Sequence, residues 1–236
     1  MVAAPSNSAS SSGPRVITLH QYSDFWCPWC YIGHREINIA VDRCKRERLP
    51  VEFQIEYKPF ILAPNMSEGQ TVPRIDYLRG KIGEEKAGML LKLAADRCKT
   101  FGVANLSNGG PVCSTIKAHR LMQLAYKTGG SALQQQLCHR LFEAYSETQQ
   151  NLSCVDSLSL IAEELDILPR DEARAWLEGT ELEDDVHKLV DQAKSNGVTG
   201  VPFTIIDNKW AVGGGQSPDV YYQIFAKLAA VASQSS

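Results

Sequence analysis

The chain has 236 residues, 44% of them hydrophobic and 22% charged, with a formal net charge of −3. Such a composition belongs to a globular protein with a substantial core, and the mildly acidic balance argues against a nucleic-acid or anionic-membrane partner. No apolar run approaches the roughly 18–20 residues that a membrane span needs, so no membrane partner is expected.

Residues 1–14 are small, Ser-rich and nearly uncharged. They lack the continuous apolar stretch of a secretory signal, read as a disordered N-terminal tail, and leave a cytoplasmic location as the expectation. Val16 to Tyr22 reads as a first strand, mostly apolar and therefore central in its sheet. It runs into Ser23-Asp24-Phe25-Trp26-Cys27-Pro28-Trp29-Cys30-Tyr31-Ile32-Gly33. A helical pattern follows to about Arg48, with Gly33, Ile37, Ala40, Val41 and Cys44 on one stripe. Cys27 should thus lie where the strand ends and the helix begins, with Pro28 in the first turn, where its missing N–H costs nothing. Unpaired N–H groups and the positive end of a helix dipole favour a thiolate there. Cys30, one turn further, can close a disulfide with Cys27. The pair reads as a redox dithiol, with Cys27 as nucleophile and Cys30 as resolving partner.

Val51 to Tyr57 alternates strictly and predicts a second strand, with Val51, Phe53, Ile55 and Tyr57 on one face. Pro59 and Pro64 interrupt regular structure. From about Pro73 to Asn196 the pattern is mostly helical. Ala87, Leu90, Leu91, Ala94, Cys98 and Phe101 mark one stripe. Ala118, Leu121, Met122 and Ala125 mark another, capped by Ser114 and ended by Gly129-Gly130. Leu137, Leu141, Ala144 and Tyr145 mark a third, Leu158, Ile161, Ala162 and Leu165 a short fourth, and Val186, Leu189, Val190 and Ala193 the last. Pro202 to Ile206, the turn Asp207-Asn208 and Lys209 to Val212 predict a β-hairpin. Ser217-Pro218-Asp219 starts a final helix that should bury Val220, Ile224, Phe225 and Leu228.

Four side features bear on chemistry. A structural zinc site commonly uses two Cys-x-x-Cys pairs; only one is present, His34 would make an incomplete third ligand, and no metal is expected. The seven cysteines form no regular framework: Cys44, Cys98 and Cys138 read as small buried hydrophobes, and Cys113 and Cys154 receive no role. Trp29 suits an apolar rim for a substrate, whereas Phe25 and Trp26 divide between rim and core. His119-Arg120 and Gly214-Gly215-Gln216 are open between lining a cleft and serving as a helix-surface pair and a plain loop.

Strand–helix–strand, a helical block, then hairpin and helix predict an α/β chain: a thioredoxin-like fold with a helical domain inserted between the βαβ and ββα halves. The expected regions are the tail at 1–14, the two-part thioredoxin-like domain at 15–62 and 197–232, and the inserted helical domain at 63–196. Phe25 to Gly33, Ala118-His119-Arg120-Leu121, Gly197-Val198-Thr199-Gly200-Val201-Pro202-Phe203 and Val212 to Gln216 together resemble the DsbA-like thioredoxin family, in particular its FrnE-like branch. The resemblance implies thiol–disulfide oxidoreductase activity, with Cys27 and Cys30 catalytic and with Pro28, Trp29, Val201 and Pro202 lining the substrate site. It also implies a cis Val201–Pro202 bond facing the dithiol, against the plain alternative of a trans proline at a strand edge. The partner would be a thiol or disulfide client protein or a small thiol. No cofactor beyond the Cys27–Cys30 disulfide is required, with glutathione a candidate co-substrate. Two other readings stand beside this one. A neighbouring branch, the kappa-class glutathione transferases and 2-hydroxychromene-2-carboxylate isomerases, shares the split fold but has Ser in place of the first cysteine. A non-enzymatic client-binding role would use the apolar cleft alone.

Overall fold

A single strand, Arg15–Ser23 (β1), carries the neighbours of both ends of the chain. In the computed structural model, which describes residues 13–103, 106 and 109–234, β1 is followed by α1 (Pro28–Arg46) and β2 (Val51–Pro59). β1 and β2 run parallel, from Arg15↔Val51 to Ser23↔Pro59, which requires the α1 crossover between them. β3 (Phe203–Ile206) then pairs antiparallel with β1, from Tyr22↔Phe203 to Leu19↔Ile206, and β4 (Trp210–Gly213) closes a hairpin on β3. The sheet order is β2-β1-β3-β4. The hairpin turn forms because Asp207 and Asn208 both take positive φ (50° and 52°), as a two-residue primed turn demands. Asp207 also reaches back to β1: its Oδ1 accepts the Thr18 N–H at 2.9 Å and its Oδ2 pairs with Arg15 at 2.6 Å.

The helical block comprises α2 (Arg74–Ile82), α3 (Glu84–Lys99), α4 (Ile116–Ser146), α5 (Val155–Glu164), α6 (Arg170–Glu178) and α7 (Glu183–Ser195), and α8 (Pro218–Gln234) ends the chain. The architecture is therefore the expected thioredoxin-like α/β fold with helices between its two halves. Ile17, Leu19 and Ile55 of the sheet share one core with Ile37 and Val41 of α1 and with Tyr221 and Phe225 of α8. On the opposite face, Tyr22 joins Phe60, Ala193 and Val198. The inserted helices are packed into the main core, since Phe142 of α4 lies 5.2 Å from Phe25 and 5.6 Å from Tyr31, ring centre to ring centre. Gln134, also on α4, spans the open edge of β2: it accepts the Tyr57 N–H at 2.8 Å and donates to the Tyr57 carbonyl at 3.1 Å.

Several elements differ from the sequence reading. The first helix ends at Arg46 rather than Arg48, because Arg48 turns to φ 56°. The stripe from Ala87 to Cys98 lies on α3, and a separate helix for which no stripe was read, α2, precedes it across Gly83 (φ 84°). The break expected at Gly129-Gly130 is present, since Gly130 leaves helical geometry (φ 65°, ψ −158°) and divides α4 into two helical stretches, but the cap position ahead of α4 is Thr115, not Ser114. A further helix, α6, had no separate signal. In α8 Phe225 is buried as expected, in line with Tyr221 and Ala229, while Ile224 and Leu228 are only partly buried against the core and Val220 is 38% exposed. The tail at 1–14 lies outside the described residues except for Gly13 and Pro14.

His119 and Arg120 also resolve. Arg120 is buried, and its guanidinium donates to the carbonyls of Glu181 (2.7 Å), Trp176 (3.0 Å) and Leu177 (3.4 Å), gathering the end of α6 and the start of α7. It is a structural clasp. Arg120→Met would leave three carbonyls short of donors and should lower the unfolding free energy by about 2–4 kcal/mol, read as a reduced urea midpoint. An unchanged midpoint would remove the clasp from the account.

Candidate active site

The chain leaves β1 at Ser23 and must enter α1 within a few residues. Asp24 makes this possible. Its side chain is fully buried, its Oδ1 accepts the Phe25 N–H at 2.8 Å and its Oδ2 accepts the Leu62 N–H at 2.8 Å, so one carboxylate satisfies two buried donors from separate segments. The Cys27 N–H then bonds the Asp24 carbonyl at 3.2 Å. Cys27 takes an extended backbone (φ −78°, ψ 114°) at the N-cap of α1, and Pro28 is buried in the first turn. No acidic residue sits in that turn, whereas Arg43, Lys45 and Arg46 sit in the last. No acidic side chain in the first turn therefore offsets the partial positive charge of the helix end at the Cys27 N-cap.

The two sulfurs are not equivalent. Both cysteines are free thiols in hydrogen-bonding contact, but Cys27 keeps 7% of its surface exposed and Cys30 none. Burial pushes the Cys30 thiol well up, and the hydrogen bond and charge of Cys27 push in the same direction. The outer sulfur is placed to meet a substrate, and the inner one is held as a protonated thiol until the outer one reacts.

The second wall comes from the far end of the chain. The Val201–Pro202 peptide is cis, and the Cys27 thiol points at the Val201 carbonyl at 3.8 Å, across 174 residues of sequence. α1 approaches this segment so closely that a Cβ on Gly33 would stand 3.3 Å from the Pro202 ring, which explains a residue without a side chain there. The glycine run supplies a third wall. Gly214 (φ 73°) donates its N–H to the Pro202 carbonyl at 2.9 Å, and a Cβ on Gly215 would lie 3.3 Å from the Trp29 ring. Trp29 is half-buried against this loop.

Phe25 and Trp26 are core residues. Phe25 packs on His119 and Phe142, and Trp26 meets Tyr77 of α2 edge-on at 5.3 Å. His119 supports the site from behind: its Nε2 lies 3.2 Å from the Phe60 carbonyl and 3.7 Å from Asp24 Oδ1. One contributor carried no signal in the sequence. Arg74, at the start of α2, is buried within electrostatic reach of Cys27 and against Tyr145. His34, weighed in the sequence only as an incomplete third metal ligand, is buried one turn beyond Cys30, and burial together with the His139 and Arg35 charges pushes it down to about 3. Cys44, Cys98, Cys113 and Cys138 are all buried, and Cys154 caps α5. Among the described residues no group of three or more His, Cys, Asp or Glu is placed to hold a metal, and no helix is long and apolar enough to cross a membrane.

Comparison with known proteins places this geometry. A family model described as the DSBA-like thioredoxin domain matches residues 18–226. Among solved structures, a probable DsbA oxidoreductase from Streptomyces coelicolor superposes with a TM-score of 0.77 at 24% identity, covering 90% of this chain and 89% of that one. A 2-hydroxychromene-2-carboxylate isomerase superposes at 0.66 with 15% identity, covering 92% and 97%. The cytosolic disulfide reductase DsbM from Pseudomonas aeruginosa, solved with GSH, superposes at 0.55 with 17% identity, covering 89% and 98%. At these identities the likeness is one of fold. The search of curated proteins gave no match.

The asymmetry of the two thiols is directly measurable. Brief treatment of the reduced protein with iodoacetamide near neutral pH should label Cys27 at least about tenfold faster than Cys30 by peptide mapping, because the thiolate is the reactive species and burial opposes its formation at Cys30. Equal labelling would contradict the burial of the inner sulfur.

Proposed function

The chain belongs to the DsbA-like thioredoxin family, and we propose that it acts there as a thiol–disulfide oxidoreductase of the FrnE-like branch, through the Cys27-Pro28-Trp29-Cys30 dithiol. One observation carries the reading: a thiol at a helix N-cap that keeps a small exposed face meets the Val201 carbonyl beside a cis proline, with a second, fully buried thiol within hydrogen-bonding contact.

In the reduced enzyme the Cys27 thiolate attacks one sulfur of a substrate disulfide. The bond between Cys27 and that sulfur forms, and the other substrate sulfur leaves as a thiolate. Cys30 then loses its proton and attacks the Cys27 sulfur. The mixed disulfide breaks, the second substrate thiolate departs, and the Cys27–Cys30 disulfide forms. The client gains two electrons and the enzyme loses two. Run backwards, the same steps oxidise a dithiol client, and the direction follows the reduction potentials of the two partners. Pro28 keeps the first turn free of an unneeded donor, Trp29 offers an apolar rim, and Val201 and Pro202 present backbone to an extended substrate. The client is a protein or small thiol or disulfide, with glutathione a suitable recycling thiol. No cofactor other than the dithiol enters these steps. Seven dispersed free cysteines suit a reducing compartment, and we place the enzyme in the cytoplasm.

Cys27→Ser should lower reduction of an insulin-type disulfide at least about a thousandfold, the scale on which loss of a nucleophile acts. Cys30→Ser should instead accumulate a client adduct at Cys27, visible by mass and released by dithiothreitol. Full reductase activity in Cys27→Ser would end this assignment. Turnover of a small electrophile with glutathione that survives loss of Cys30 would point to the transferase or isomerase chemistry instead, and suppression of client aggregation surviving loss of both cysteines would point to the non-enzymatic role.

A further inference from the structure

The oxidoreductase reading leaves unused a pair of histidines on the side of α1 that faces α4. His34 follows Cys30 by one turn and is buried. His139 comes from α4, with 40% of its side chain exposed. His34 Nε2 and His139 Nδ1 face one another at 3.3 Å, with the ring centres 5.4 Å apart. The outer nitrogen of each ring already has an oxygen partner: His34 Nδ1 lies 2.7 Å from the Tyr57 hydroxyl, and His139 Nε2 lies 3.1 Å from Glu143 Oε1.

These outer contacts determine what the inner nitrogens offer. A neutral imidazole carries one N–H. If His139 Nε2–H donates to the Glu143 carboxylate and His34 Nδ1–H donates to the Tyr57 oxygen, both inner nitrogens present lone pairs. The Glu143 carboxylate behind His139 is the usual support of a metal-ligating histidine, since it fixes the tautomer and orients the ring, whereas the Tyr57 hydroxyl can accept from His34 Nδ1 or donate to it, and metal binding selects the form that leaves Nε2 bare. The separation is also selective. With Zn–N bonds of about 2.05 Å, nitrogens 3.3 Å apart subtend about 107° at a shared ion, close to tetrahedral, whereas square-planar neighbours would need about 2.9 Å.

We propose that His34 Nε2 and His139 Nδ1 form a two-histidine site for Zn²⁺, completed by water from the adjoining groove. Arg35, Asn38, Asp42 and Gln135 line that groove with the two rings. Asn38 Nδ2 lies 3.3 Å from His34 Nε2, but its shorter bond is to the His34 carbonyl at 2.9 Å, and its Oδ1 is held by Gln135 at 2.6 Å. Arg35 adds an opposing charge, directed toward the Phe101 carbonyl at 3.4 Å, while Glu143 and Asp42 supply negative charge. Bound Zn²⁺ would join α1 to α4 directly behind the dithiol helix start.

The test uses the full chain with the Cys27–Cys30 disulfide formed, so that the dithiol does not compete for the metal. Calorimetric titration with Zn²⁺ alone should give one-to-one binding and raise the thermal midpoint. His139→Ala, at an exposed position that leaves the buried partner in place, should weaken binding by more than the roughly 10–100-fold that loss of an outer partner costs, and should abolish the thermal shift. Glu143→Gln should weaken binding less than His139→Ala does. One-to-one binding that is unchanged in His139→Ala, or no Zn²⁺ binding by the oxidised protein, overturns the proposal. Because the dithiol is blocked throughout, either result leaves the oxidoreductase reading untouched.

Discussion

The antiparallel pairing of β1 with β3 is the contact on which the site depends. Tyr22 lies opposite Phe203, so Pro202 is delivered one residue ahead of the pairing and Cys27 a few residues beyond it. Register is exact in a sheet with both faces covered, because a slip by one residue would exchange the faces of every side chain. Asp207 reinforces the register from the hairpin turn by binding the Thr18 N–H and Arg15. Two segments 174 residues apart therefore meet at hydrogen-bonding distance, and the close fit of Gly33 against Pro202 leaves little freedom for that meeting to drift.

Charge is distributed around the two sulfurs with the same economy. The N-terminus of α1, with its unpaired N–H groups, lies at Cys27, while the negative charge of Asp24 adds a smaller upward push to that of burial on Cys30. The Asp24 carboxylate is tolerable in the core because both its oxygens are occupied by backbone N–H groups. The inserted helices complete the surroundings: Tyr77 supports Trp26, Phe142 supports Phe25 and Tyr31, and Arg74 brings a positive charge within reach of Cys27. The insertion is thus part of the site's foundation and not only a cover above it.

What the sequence disclosed was what local chemistry decides. Strict alternation located β2, Asp207-Asn208 located the hairpin, and Pro28 after an apolar strand located the start of α1. What it concealed depends on distant partners. Arg120 stayed open between lining a cleft and forming half of a surface pair until the segment from α6 to α7 supplied carbonyls for it. His34 read only as an incomplete third ligand beside the dithiol, because nothing near it in sequence announces Tyr57 or His139. α6 has only Ala173 and Leu177 buried, too few to produce a visible stripe. In α8, Val220 and Ile224 are as apolar as Tyr221 and Phe225, so composition alone could not say which line turns inward; the Phe53 ring, 4.8 Å from Phe225, decides it.

The amide of Gln134 has a consequence beyond packing. By occupying both the N–H and the carbonyl of Tyr57, it imitates a neighbouring strand for one residue at the β2 margin. A foreign extended segment arriving there finds its would-be ladder partners already taken, so self-association by strand addition is discouraged along that border. The opposite margin, β4, begins at a half-exposed Trp210, and its four residues are exposed or half-buried. The two borders of the sheet therefore differ, one of them engaged at Tyr57 by a side chain that takes the place of a strand.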